Sequence, residues 1–140
     1  MGFPATAPEA VVVSRLASQV GSLVSGTNLF RGPERPPAPA SGMPHLAVFV
    51  RQYGGRNSTN LGNDAGERYY RIQVLVRGNV DGRAEAITLA ESCLSACNRV
   101  DPTETGYIWL TSSDAGWVDL GVDDTEHPRL VFNAQLTYSG

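Results

Sequence analysis

Lysine is absent from the chain: all 11 basic residues among its 140 are arginine. That excludes chemistry needing a lysine amine, such as Schiff-base formation or a phosphate-binding loop that ends in lysine. Histidine and cysteine number two each, too few for the ligand-dense Cys/His metal motifs. No apolar run approaches the ~20 residues of a membrane-spanning helix. No basic flank followed by a long apolar run opens the sequence, so the chain reads as neither secreted nor membrane-embedded. The arginines are scattered from Arg15 to Arg129 at a formal net charge of −3. Such scatter gives no basic stripe for a phosphate backbone and argues against specific nucleic-acid binding. What is present is globular: 41% hydrophobic and 18% charged residues, in a chain long enough to bury one core, which predicts a single domain over 1–140.

Two short motifs lead nowhere. Met1-Gly2-Phe3-Pro4-Ala5-Thr6 fits the loose myristoylation pattern, but it needs a host transferase, and Pro4 makes it a poor extended substrate. Asn57-Ser58-Thr59 fits the glycosylation sequon, which acts only in a secreted protein.

Apolar residues at Val12, Val13, Leu16, Val20, Leu23 and Val24 recur every three or four positions and predict a helix over 8–24, with Pro8 in its first turn and Gly26 as its stop. From Arg31 to Pro44 the chain holds Gly32, Pro33, Pro36, Pro37, Pro39, Gly42 and Pro44. Proline lacks a donor and fixes φ, so 31–44 is expected to be an extended arm. At ~3.1 Å per residue such an arm reaches roughly 30–40 Å, enough to cross to a neighbour. Leu46–Val50 is a short buried strand by its apolar run, and Gly54–Gly66 a mobile loop by its turn chemistry. Tyr70, Ile72, Val74 and Val76 alternate with Arg71, Gln73, Leu75 and Arg77, the period of two of a central strand.

A second helix follows over about 81–98, with Asp81 as N-cap and Ala84, Ile87, Ala90, Leu94 and Cys97 along one stripe. Short strands at Tyr107–Leu110 and Trp117–Leu120 flank a turn, and a last strand alternates from Leu130 to Tyr138. The strand-rich body thus covers 46–140. Two helices packed on one mixed, mostly antiparallel sheet, an α+β fold with a Pro-rich extended arm, give each amphipathic face a partner.

Candidate chemistry is sparse. His45 and His127 lie beside prolines without a ligand-spaced companion and read as loop-packing residues rather than a proton shuttle or metal site. Cys93 and Cys97, four apart on a helix, read as small core hydrophobes, since a redox pair needs two-residue spacing. The acidic stretch Asp114, Asp119, Asp123, Asp124 and Glu126 lacks the spacing and glycine of a calcium loop. It reads as a solvated loop or as an anionic surface that lets DNA slide past without sticking. Tyr69, Tyr70, Trp109, Trp117, Phe132 and Tyr138 are core residues or interface anchors. No nucleophile elbow, zinc-protease helix or dinucleotide fingerprint occurs. No catalytic residue, cofactor or metal is assigned.

The C-terminal third, from Trp109-Leu110 through Asp119-Leu120-Gly121-Val122-Asp123-Asp124 to Pro128-Arg129-Leu130-Val131-Phe132-Asn133, resembles the ending of phage minor-capsid and tail-terminator proteins, where an aspartate-bearing turn precedes a final Phe-x-Asn strand. The order ahead of it is similar too: a first helix, a Pro-containing loop, Phe49-Val50-Arg51-Gln52-Tyr53-Gly54-Gly55, Val74-Leu75-Val76-Arg77-Gly78 and a second helix. The resemblance implies a non-enzymatic virion protein assembled in the host cytoplasm. It implies a ring, typically a hexamer, that caps the tail tube and offers a docking face to the head connector. The expected partners are therefore further copies, the tail-tube protein and the connector. Ring contacts are heterologous, and the arm is a natural supplier through wrapping. The interface candidates are Phe30, Arg31, Pro33, Arg35, Pro36, Pro37 and Arg56. The candidates for a DNA-facing or lumen surface are Asp114, Asp119, Asp123, Asp124 and Glu126. Deleting Gly32–Ser41 is expected to weaken the ring while leaving the fold intact. Two alternatives stay open: a head–tail joining or tail-tube subunit, and a cellular small-molecule-binding or enzymatic α+β domain with Asn57–Gly66 as a lid, which predicts ligand-dependent thermal stabilisation.

Overall fold

The computed structural model describes residues 6–38, 40, 42–57, 68–112 and 116–139, with the main chain alone at 55–57. The elements run α1 (Pro8–Gln19), β1 (Leu29–Arg31), β2 (Ala47–Asn57), β3 (Arg68–Arg77), α2 (Arg83–Ala96), β4 (Tyr107–Ser112), β5 (Val118–Val122) and β6 (Pro128–Tyr138). They form one sheet in the order β1-β2-β3-β6-β4, and β5 also pairs with β6. β1 runs parallel to β2; the β2–β3, β3–β6, β4–β6 and β5–β6 pairs are antiparallel. This is a two-helix α+β fold on a mixed, mostly antiparallel sheet.

β6 organises the sheet because its alternation is uninterrupted. Leu130, Phe132, Ala134 and Leu136 are buried beside Ile72, Val74 and Val76 of β3 and Val48 and Val50 of β2, and α1 packs on them through Val12 and Leu16. Each fully buried aliphatic side chain here contributes about 1.5–3 kcal/mol. β6 pairs with β3 from Arg68↔Tyr138 to Arg77↔Arg129. Its other edge is shared: β4 takes the second half, and β5 the first.

The helices differ from expectation in ways their residues explain. α1 stops at Gln19, and its C-cap Val20 is extended. Gly21 and Ser22, poor helix formers, follow at once, and Val20 and Leu23 are buried from the turn while Val24 is 55% exposed. α2 begins at Arg83 with Gly82, not Asp81, as N-cap; Asp81 has φ 62° and belongs to the preceding turn. Its buried stripe is Ala86, Leu89, Ala90, Cys93 and Ala96, turned from the expected one, with Ala84 exposed and Ile87 and Leu94 half-buried. The inward face is built of small residues, which lets the helix sit close to the sheet.

The connection from β1 to β2 is the Pro-rich segment. Parallel neighbours need a crossover of roughly a dozen residues, usually a helix; here residues 32–46 serve, and their prolines forbid a helix. The segment contains one antiparallel bridge, Ala38↔Met43. It crosses its own sheet on the face opposite the helices, rather than reaching away, and there Phe30 and Met43 pack on Ala47, Phe49 and Leu75. β2 also continues through the Gly54-Gly55 pair expected to turn, with a register shift between Gln52 and Gly54. Of the expected loop, 58–66 lies outside the described residues.

Candidate assembly surface

Arg77 is the last residue of β3 and points to the face opposite the helices, where alternation alone places it in solvent. Its side chain is 1% exposed. The guanidinium donates to the carbonyls of His45 (2.8 Å) and Pro44 (2.7 Å), and to that of Arg35. It also faces the Glu34 carboxylate at 3.4 Å. Glu34 in turn pairs with Arg129 of β6 at 2.7 Å. Desolvation lowers the Arg77 pKa, opposed chiefly by the charge and hydrogen bond of Glu34. A buried cation needs such saturation, and the carbonyls of the proline-rich crossover supply it.

A ladder of cations and rings runs sideways from this clasp. Arg77 lies 5.1 Å from the Phe49 ring centroid, Phe49 stacks on Phe30 at 5.7 Å, and Arg35 caps Phe30 at 5.3 Å. These three contacts, two between strands and one from the crossover to β1, are cation–π and ring contacts that join β3, β2, β1 and the crossover.

His45 and His127, 82 residues apart, hydrogen-bond through Nδ1 and Nε2 at 2.7 Å and stack at 5.0 Å between centroids. Neither histidine has a ligand-spaced companion in sequence, but the fold makes each the other's packing partner. The tautomers follow from the chain of partners. The Thr125 hydroxyl lies 2.9 Å from Asp123 Oδ1, to which it donates, and accepts from His127 Nδ1 at 2.7 Å. That leaves His127 Nε2 as the acceptor for His45 Nδ1–H. Asp123 Oδ1 also accepts the main-chain N–H groups of Thr125 and His127, each at 2.9 Å. Desolvation pushes the Asp123 carboxyl up, but these hydrogen bonds together outweigh it and hold the group well below the usual carboxylate range. Among the described residues no group of three His, Cys, Asp or Glu could hold a metal ion. The network closes the β5–β6 turn onto the start of β2, and beside it lies an open groove of about 620 Å³ that includes Pro36, Pro37 and Val80.

Cys93 in α2 and Cys97 at its C-cap lie buried against the core. Burial pushes the Cys93 thiol up to about 12, and Cys97 in the same direction. Such thiols are poor nucleophiles and metal ligands.

The candidate interface residues gather where the crossover leaves β1. Arg31, Pro33, Arg35 and Pro36 are exposed, and Phe30 and Pro37 are half-buried. Arg31 pairs with Glu9 of α1 at 3.3 Å. Arg56 belongs to β2, opposite Tyr69. The acidic candidates separate by role. Asp119 binds Arg83 of α2, Nε to Oδ2 3.1 Å, and that hydrogen bond lowers its pKa. Asp123 shapes the turn. Asp124 and Glu126 are exposed and make no ion pair among the described residues. Asp114 lies outside the described residues.

Besides the histidine pair, sequence reading missed two features. One is the Arg77 clasp, signalled only by an arginine ending a run of apolar strand residues. The other is an exposed apolar rim at the β4–β5 side: Ile108 (47%), Trp109 (42%), Val118 (50%), Leu120 (47%) and Val122 (64%) account for most of the large exposed hydrophobics among the described residues. Phe132 and Tyr138 are core, and Trp117 packs against it.

No protein-family model and no curated protein matches the chain. Among solved structures, the fold is shared with a chain of the virion of native gene transfer agent (GTA) particle, at a TM-score of 0.68 and 16% identity, over 96% of this chain and 96% of that one.

Proposed function

We propose that this chain is a structural protein of a tailed-phage-like virion: a tail terminator whose copies close into a hexameric ring that caps the tail tube and joins it to the head connector. The end-to-end likeness to a chain of a GTA virion carries the reading. The side-chain chemistry agrees: the buried polar groups saturate one another, with no buried side-chain nitrogen or oxygen left unpartnered among the described residues, and the buried thiols are unreactive. Those clusters brace a shape, which is what a subunit of a large assembly requires. Because the crossover is fixed on its own sheet, Arg31, Pro33, Arg35 and Pro36 would meet other virion proteins as a rigid rim rather than as a wrapping arm.

The mass of the purified protein, by light scattering after size exclusion over a range of concentrations with electron microscopy of the same fractions, tests this. A closed ring is expected, or a monomer that becomes a ring on isolated tail tubes. Open-ended tubes would move the assignment to a tube subunit. A monomer indifferent to tails and heads would overturn it.

A further inference from the structure

Among the described residues, the sheet face opposite the helices is covered at one end only. The crossover lies over the end that holds Arg77. The other end is an open hollow of about 390 Å³ lined by Tyr53, Arg71, Arg99, Thr111 and Gln135, and no described carboxylate lines it. Arg71 and Arg99 are exposed and make no ion pair among the described residues. Tyr53 is 44% exposed. Among the described residues the hollow is an open face that carries two arginines and an exposed tyrosine.

The complement is carried elsewhere on the same chain. The β5–β6 hairpin presents Val118 and Val122, 50% and 64% exposed, next to the unpaired carboxylates Asp124 and Glu126. Its turn is held in one shape by the bonds to Asp123, so docking it costs little ordering.

We propose that the open sheet face is a subunit-binding site whose occupant is the β5–β6 hairpin of a second copy, with Asp124 and Glu126 meeting Arg71 and Arg99, and Val122 covering Tyr53. This rests on the ring reading and names its contact. The two patches lie on different parts of the chain, so the contact is heterologous and generates a closed ring or an open filament. Charge complementarity fixes register and suppresses wrong pairings, while the apolar residues fill the desolvated centre that such an interface needs. Asp124 and Glu126 are thereby assigned to a neighbour rather than to a DNA-facing lumen.

Reciprocal charge reversal tests it. Arg71→Glu with Arg99→Glu, and separately Asp124→Arg with Glu126→Arg, should each weaken self-association by about tenfold or more. Thermal melting by circular dichroism should stay unchanged. Mixing the two double variants should restore assembly, because each then offers what the other lacks, and the quadruple variant should assemble alone. Rings that persist in both double variants would overturn the inference while leaving the ring reading standing. So would loss of assembly that neither mixing nor the quadruple variant rescues. Unchanged self-association with lost affinity for a duplex oligonucleotide in the Arg71/Arg99 variant would give the face to DNA instead. A wild-type chain that never associates, even on tail tubes, would overturn both.

Discussion

Arg77 sits 5.1 Å from the centre of the Phe49 ring while its guanidinium holds the carbonyls of Pro44 and His45. One side chain of the sheet thus organises both the apolar patch beneath the crossover and the main chain of the crossover itself.

Replacing Arg77 with Ala leaves three carbonyls without their donor and Phe49 without its cover. The expected loss is about 2–4 kcal/mol, measured as a lower urea midpoint at constant slope. Arg77→Lys should recover only part of it, since a single ammonium cannot reproduce the planar fork.

Contrary to what composition alone suggests, deletion of residues 32–41 should not leave the fold intact. It removes Glu34 and the Arg35 carbonyl, and shortens the crossover below what a parallel pair requires. β1 should detach and stability should fall along with ring formation. In the Arg77→Met background the same deletion should cost less than the sum of the two changes, a coupling that a double-mutant cycle reads directly.

The two helices, β3 and β6 were legible because their apolar residues repeat at 3.6 or 2, a signal contained in one segment. β1 was not, since three residues carry no period. The histidine pair was not, because His45 and His127 meet only through the β2–β3–β6 register. The Arg77 clasp was not legible for a related reason: alternation tells which side of a strand a residue takes, not whether another segment covers that side. Of the candidate site, the prolines and the acidic turn were visible as composition. Their partners were not.

His127→Ala removes the acceptor for His45 and the donor to Thr125, and opens a cavity at a position 2% exposed. A loss of about 2–3 kcal/mol is expected. Hydrogen exchange should show faster opening of the β5–β6 turn ahead of the rest of the sheet.

Asp123 gives a pH dependence with a definite sign. Its folded pKa is depressed, so near pH ~4 the unfolded chain binds more protons than the folded one. The stability it contributes is present above the unfolded pKa and is lost as pH falls below it and through the depressed folded pKa. Asp123→Asn should flatten the acid limb of a plot of unfolding free energy against pH; an unchanged limb would exclude this carboxylate as its source.

Gly78 admits no side chain: a Cβ there would lie 2.8 Å from that of Ala86 and 2.9 Å from Pro128 Cγ. Gly78→Ala should destabilise by about 1–3 kcal/mol, seen as a lower melting temperature, because α2 must move off the start of β6.

The fixed crossover has one more consequence. Long stretches without helix or strand are where proteases ordinarily enter, because their main chain can be drawn into an extended groove. Here Arg77 occupies three of its carbonyls, and the prolines supply no amide hydrogen. The segment that looks most cleavable by composition should be among the last to be cut, and nicking there would report that the Arg77 clasp had opened.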